Sequence, residues 1–339
     1  MTNDARVKFK ELLEKTFITN YESQDLYWKK LNDFCNAVQE LKPERLFRYR
    51  NYDANIKKSL SNFLITSSKP TYFQDVFDSL LYIDKEDLFA KLFDPSIKQQ
   101  FVNWLSYNNF HECLNTAQKN IIEQLTNENL EQFQASLKIL KPYLETILEN
   151  LISESIYELK NSPNIVCLTE NPTSLSMWQN YANGHKGIVI EYNLKNYISP
   201  CDKCTKTCSK KHSELLFPVI YSNERFNAKD YVGDYLNRKL NALTGKNIYM
   251  KNEDLLARYK ALLYKSLELE HEKEWRIIST CNEYPIITLK PTAIYRGCLM
   301  PENDRKELEI FVKENGINLY DAYIKHDSRM YEISYKQVI

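Results

Sequence analysis

The segment His271-Glu272-Lys273-Glu274-Trp275-Arg276-Ile277 sets two carboxylates and a guanidinium at alternate positions. Extended as a strand, it turns Glu272, Glu274 and Arg276 to one face and Lys273, Trp275 and Ile277 to the other. A carboxylate there can polarise a ribose hydroxyl or offset a developing cation. The same spacing also makes a plain edge-strand ion pair between Glu274 and Arg276. A second segment, Met177 to Gly187, carries Trp178, Tyr181 and His185 at i, i+3 and i+7. On a helix these share a face, offering ring surface with polar tips to a flat heterocycle. The alternative is that Trp178 and Tyr181 are core aromatics and His185 caps the helix end.

Leu46-Phe47-Arg48-Tyr49-Arg50 alternates aromatic and basic residues and puts Arg48 and Arg50 on one strand face. Guanidinium groups bind phosphates bidentately, so a diphosphate is a natural ligand. Pairing with Glu44 or Asp53 is the plainer reading. Finally, Cys201, Cys204, Cys208 and His212 lie within twelve positions, the ligand count and softness that tetrahedral zinc prefers. Unmetallated loop thiols are the alternative, and no ligand set for a catalytic zinc is evident.

The chain that must position these groups has 339 residues, 45 basic and 45 acidic, so bulk electrostatic binding to nucleic acid or to an anionic membrane is not expected. Its six glycines include no Gly-x-Gly pair, which excludes the dinucleotide fingerprint and the P-loop. No apolar run approaches the roughly 20 residues a membrane span needs, and the charged N-terminus lacks a leader's apolar core. A cytoplasmic protein is expected, with its eight cysteines reduced.

Hydrophobic periodicity predicts an N-terminal helical segment over 1–43, the first part of an α+β core over 44–83, and a helical insertion over 84–162. The second part of the core follows over 163–339, with the Cys-rich loop at 201–212. Strands are expected at 46–50, 165–168, 187–192 and 218–221, with a short helix between 174 and 183. An amphipathic helix is expected over 252–269, a strand pair at 275–278 and 285–289, a helix over 302–314 and a last strand near Tyr320. This is a mixed α+β pattern without regular βαβ alternation.

Leu46–Arg50, Tyr72–Asp78, Leu168–Asn171 leading into Met177–Gly187, and Glu272–Ile277 occur in an order that resembles the bacterial domain-of-unknown-function family 2971. Gln74 stands where that family usually has Asn, and Thr169 where it tends to have Ser. The layout is also similar, more distantly, to the ADP-ribosyltransferase superfamily. That resemblance implies a bent, split β-sandwich gripping NAD without glycine fingerprints, here with N-terminal helices and a large helical insertion. It puts Arg48 in the first active-site place, Tyr181 with Trp178 in the second and Glu274 in the third. It implies that Arg48 holds the diphosphate or adenosine ribose, with Arg50 a further cofactor-binding candidate beside it, that Tyr181 stacks on nicotinamide, that His185 orients a hydroxyl or the acceptor, and that Glu272 selects or activates the acceptor. The Ser-Thr-Ser element of the Arg-targeting transferases is absent. The expected function is an NAD-consuming transferase or glycohydrolase in a bacterial toxin or phage-defence setting, acting on a protein, a nucleic acid or water. The competing expectation is a non-enzymatic, zinc-stapled module whose helical insertion recognises a protein or RNA partner.

Overall fold

The computed structural model describes residues 3–19, 23–92, 130–194, 214–244, 254–279 and 287–339, with the isolated positions 116 and 120. Its centre is β1 (Arg45–Arg50), which is buried on both faces: Leu46 joins one core cluster, Phe47 and Tyr49 another. Period-two alternation sends Arg48 and Arg50 to the Leu46 side. Beside β1 runs β4 (Ile188–Asn193), antiparallel and paired along its full length, Arg45 opposite Asn193 and Arg50 opposite Ile188. On its other side β3 (Asn164–Thr169) meets β1 at one position only, Phe47 opposite Thr169.

That single contact is the seam of the sheet. One half continues from β4 to β10 (Ala293–Arg296), β11 (Asn318–Ile324) and β12 (Ile333–Gln337), with β10 and β11 parallel. The other continues from β3 to β8 (Glu274–Ser279) and β5 (Glu214–Pro218), both ladders antiparallel. Together they make one mixed eight-stranded sheet in the order β12-β11-β10-β4-β1-β3-β8-β5, not a closed barrel. Two small ribbons accompany it: β2 (Leu64–Ile65) with β9 (Ile287–Thr288), and β6 (Ile220–Ser222) parallel to β7 (Tyr264–Ser266). Because β1 and β3 pair at one position only, residues of both strands line the gap between them.

Helices cover the sheet. The α1 helix (Asn3–Lys15) and α2 helix (Gln24–Leu41, its first turn capped by Ser23) bury Phe9, Leu13, Leu31, Phe34 and Val38 against Phe217 and Ile278. These positions recur at helical spacing, so each helix turns one apolar stripe to the sheet. The α3 helix (Ala54–Ser61) is capped by Asp53 and packs Ile56 and Leu60 into the Leu46 cluster, as does α9 (Glu302–Asn315) through Leu308 and Val312, numbered last in the chain. Between them fall α4 (Lys85–Leu92), the long α5 (Leu130–Asn161), α6 (Leu175–Tyr181), α7 (Lys229–Thr244) and α8 (Ala257–Leu262). Among the described residues no helix is long and apolar enough to cross a membrane.

Three expectations needed correction. The helix expected over 252–269 is only α8; Tyr264–Ser266 is strand β7, and a 3-10 helix follows at Leu267–Glu272. Residues 287–288 pair with β2 and not with the strand at 274–279. The strand expected at 218–221 breaks into β5 and β6, which belong to different sheets. The Cys-rich loop at 201–212, with Cys201, Cys204, Cys208 and His212, lies outside the described residues.

Candidate active site

A cleft of about 240 Å³ occupies the seam. Its walls are β1 from Phe47 to Arg50, β3 from Ile165 to Thr169, the loop around Tyr72–Asp78, and a third group made of Tyr181, Lys265, Glu272 and Glu274. Arg48, Tyr181 and Glu274, distant along the chain, thus face one space, with Arg50 and Glu272 beside them.

The β1 wall is cationic. Arg48 is buried and donates to the Thr66 carbonyl at 2.6 Å. Arg50 has a buried Nε with no acceptor, and among the described residues neither guanidinium sits in an ion pair with a carboxylate. Burial pulls the pKa of both downward, and for Arg48 the neighbouring charge of Arg50 adds to it. A buried Arg48 beside a half-buried Arg50, neither in an ion pair among the described residues, marks a wall suited to an anionic ligand.

The opposite wall is a closed network. Arg276, fully buried, is held by both oxygens of Asp78, by Glu274 Oε1 at 2.9 Å and by the Leu262 carbonyl at 2.6 Å. Lys265 Nζ donates to Glu272 at 2.6 Å and Glu274 at 3.1 Å, with Asp78 at 3.9 Å. The side chains of Asp78, Glu272 and Glu274 give three negative charges against two positive ones from Lys265 and Arg276. Burial opposes the charge on Glu274, yet Arg276 and Lys265 outweigh it and hold the carboxyl well below its ordinary 4.5. Glu274 therefore stays ionised across the physiological range.

Backbone geometry makes this convergence possible. The expected strand from 272 onward begins only at Glu274; Glu272 ends the 3-10 helix and Lys273 adopts φ +44°, the left-handed region. That kink, costly for a residue with a side chain, re-aims Glu272 so that its carboxylate and that of Glu274 reach one ammonium. Thr169, on β3, donates its hydroxyl to the Glu272 carbonyl and fixes the turn. The N-terminal helix contributes too. Arg6 donates to the carbonyls of Val219 (2.8 Å) and Glu274 (3.0 Å) and to Glu170, whose carboxylate also accepts from the Trp275 indole.

Tyr181 sits at the cleft mouth, 39% exposed, and donates to Glu272 Oε1 at 3.0 Å. Burial and then the Glu272 charge push its pKa up, so the phenol stays protonated. Trp178 does not line the cleft. Fully buried, it packs edge-on against Tyr49 at 5.5 Å, and its indole donates to the Pro172 carbonyl and the Tyr335 hydroxyl. His185 lies beyond the helix end at φ +64° and stacks on Trp178 at 6.0 Å. The expected shared face therefore divides: Tyr181 goes to the cleft, Trp178 to the core, and His185 behind it. The turn is tight because Gly187 passes against β1, where a Cβ would meet the Arg50 carbonyl at 2.2 Å.

Four lining or supporting groups carried no assigned role in the sequence: Asp78, Cys167, Tyr221 and Lys265. Asp78 lies within the quoted Tyr72–Asp78 segment and was the one with a signal. Cys167 lines the cleft, and burial and then Glu274 push its thiol pKa up. The Tyr221 hydroxyl accepts from the Glu274 amide at 2.7 Å. Among the described residues, no group of three His, Cys, Asp or Glu could hold a metal ion.

The model of the family described as protein of unknown function (DUF2971) matches residues 177–277. That span opens at Met177, the third residue of α6, and closes within β8. It holds Tyr181, Lys265, Glu272, Glu274 and Arg276, the whole charged network except Asp78, and leaves the β1 wall outside. No curated protein and no solved structure matches the chain.

Proposed function

We propose that the cleft binds NAD and breaks its bond between nicotinamide and ribose, passing the ADP-ribosyl group to an acceptor or to water. The observation that carries this reading is that one cleft at the seam is lined both by Arg48 and Arg50, which are in no ion pair among the described residues, and by Glu272 and Glu274, with the half-exposed Tyr181 donating to Glu272. NAD presents matching charges, a diphosphate at one point and a ribosyl carbon that turns cationic as nicotinamide departs. In this reading the nicotinamide riboside and the diphosphate lie in the cleft, and the adenosine lies outside it toward exposed Tyr72.

In this reading Glu274 accepts the ribose hydroxyl and offsets the oxocarbenium charge, a role that requires an ionised carboxylate in a dry setting. Tyr181 stacks on the nicotinamide ring, Glu272 serves the acceptor, and Arg48 and Arg50 bind the diphosphate. Trp178 acts at one remove, anchoring α6 so that Tyr181 reaches the cleft. The distant resemblance to ADP-ribosyltransferases implies a bent, split β-sandwich gripping NAD in a cleft; here the cleft lies at the seam of one mixed sheet, and its presence supports the reading.

The test is incubation of the full chain with NAD and detection of free nicotinamide, with metal analysis on the same sample. Nicotinamide release that falls by about 10²–10³-fold in folded Glu274→Gln is the expected result. Equal turnover in the variant would remove the mechanism. Stoichiometric zinc with no nicotinamide would instead favour a zinc-stapled binding module.

A further inference from the structure

Resting on the NAD reading, we propose that Lys265 is a positioning residue that keeps Glu272 and Glu274 ionised side by side, so that one carboxylate can face the ribosyl cation while the other takes the acceptor's proton. Lys265 lies mid-strand on β7, paired with Tyr221 of β6, and its side chain is 4% exposed. Its ammonium faces Asp78 from the loop before α4, Glu272 from the 3-10 turn, and Glu274 and Arg276 from β8. The Tyr221 and Tyr181 phenols are also near enough to interact, Tyr181 donating to Glu272, and the Cys167 thiol of β3 lies against Glu274. The Arg276 fork is fully committed to Asp78, Glu274 and the Leu262 carbonyl. Among the described residues, Lys265 is therefore the cation that pairs with Glu272.

Two carboxylates sharing a dry site cannot both remain charged unless a cation lies between them. A lysine suits this place better than an arginine, because a compact ammonium with three rotatable donors can serve several carboxylates at once. The proton accounting shows why the pair must be ionised. The C1′–N bond breaks and its electron pair leaves with nicotinamide, neutralising the pyridinium. The acceptor X–H then forms the C1′–X bond, and its proton passes to Glu272 and on to solvent. A Glu272 that already held a proton could not receive it.

The test uses the full chain labelled with ¹³C at the glutamate carboxyls, titrated without NAD, alongside the pH profile of nicotinamide release. In Lys265→Met a new carboxyl titration is expected to enter the pH 5–8 window, and the acid limb of kcat/KM to move up by about one pH unit or more. Lys265→Arg should restore the limb at least in part. Should Lys265→Met fail to fold, Lys265→Gln removes the charge while retaining two donors and carries the same test. A folded, uncharged variant whose carboxyl titrations match the wild type overturns the proposal. The titration is read without substrate, so it stands or falls separately from NAD turnover, whose absence in the wild type would sink the NAD reading instead.

Discussion

The two walls of the cleft treat buried charge in opposite ways. On the β8 side each charged group has a partner of opposite sign: Arg276 with Asp78 and Glu274, Lys265 with Glu272 and Glu274. On the β1 side Arg48 has a carbonyl and Arg50 a buried Nε with no acceptor. A closed network is rigid and fixes where its carboxylates sit. An open pair of cations is unfavourable until an anion arrives. The contrast separates a wall that holds a shape from one that, in the proposal, holds a ligand.

The largest effect should come from breaking the closed wall. Arg276→Met takes both guanidinium bonds from Asp78, which is 3% exposed and keeps only the Ser79 hydroxyl and Lys265 at 3.9 Å, and removes two hydrogen bonds from Glu274. Removing one member of a buried, paired network costs about 3–5 kcal/mol, so a denaturant melt of this variant should show a loss of that order. The network also sets an acid limit. Glu274 has a folded pKa below its unfolded 4.5, so the unfolded chain binds more protons between those values. Its contribution is present above that window and is lost as pH falls through it, and Glu274→Gln should flatten this part of the stability curve. A melt of Arg276→Met indistinguishable from wild type would show that the wall is not the rigid one.

The open wall should answer differently. Arg50→Met removes a desolvated cation that has no carboxylate partner, so the thermal midpoint should hold or rise slightly. Affinity for ADP-ribose, measured by calorimetry, should fall about ten- to a hundredfold, the value of one or two charge-assisted hydrogen bonds. Loss of stability without loss of affinity would reverse the comparison and make β1 the structural wall.

How much of this was legible beforehand depended on range. Arg48 and Arg50 could be assigned to one face because a strand alternates strictly, and α2 because Leu31, Phe34 and Val38 keep helical spacing. Glu272 and Glu274 were singled out for a reason that did not survive. They converge through the left-handed Lys273 and not through strand alternation, and nothing in the residue types signals that kink. Lys265 was hidden because its neighbours read as the end of an amphipathic helix; only the pairing of β7 with β6 turns it inward. Arg6 was invisible for a similar reason, since it reaches Glu274 across 268 positions of sequence. Local periodicity carries the elements; contacts between distant segments carry the site.

The smallest effect sharpens the boundary of the site. His185 shares its segment with Tyr181, yet its ring rests on Trp178 and is not among the residues lining the cleft. What the position demands comes from the backbone: φ is +64°, its amide donates to the Trp178 carbonyl at 3.3 Å, and its carbonyl accepts from the Leu299 amide at 3.0 Å. Asn tolerates that left-handed conformation better than most residues, so His185→Asn keeps the turn and loses one ring contact, about 0.5–1.5 kcal/mol. Nicotinamide release should stay within about twofold of wild type. Tyr181→Phe, by contrast, removes the hydroxyl that donates to Glu272 and should lower kcat while leaving the fold intact. A folded His185→Asn with turnover down a hundredfold would mean that the imidazole reaches the ligand, and the cleft would then have to extend behind Trp178, where the packing leaves it no room.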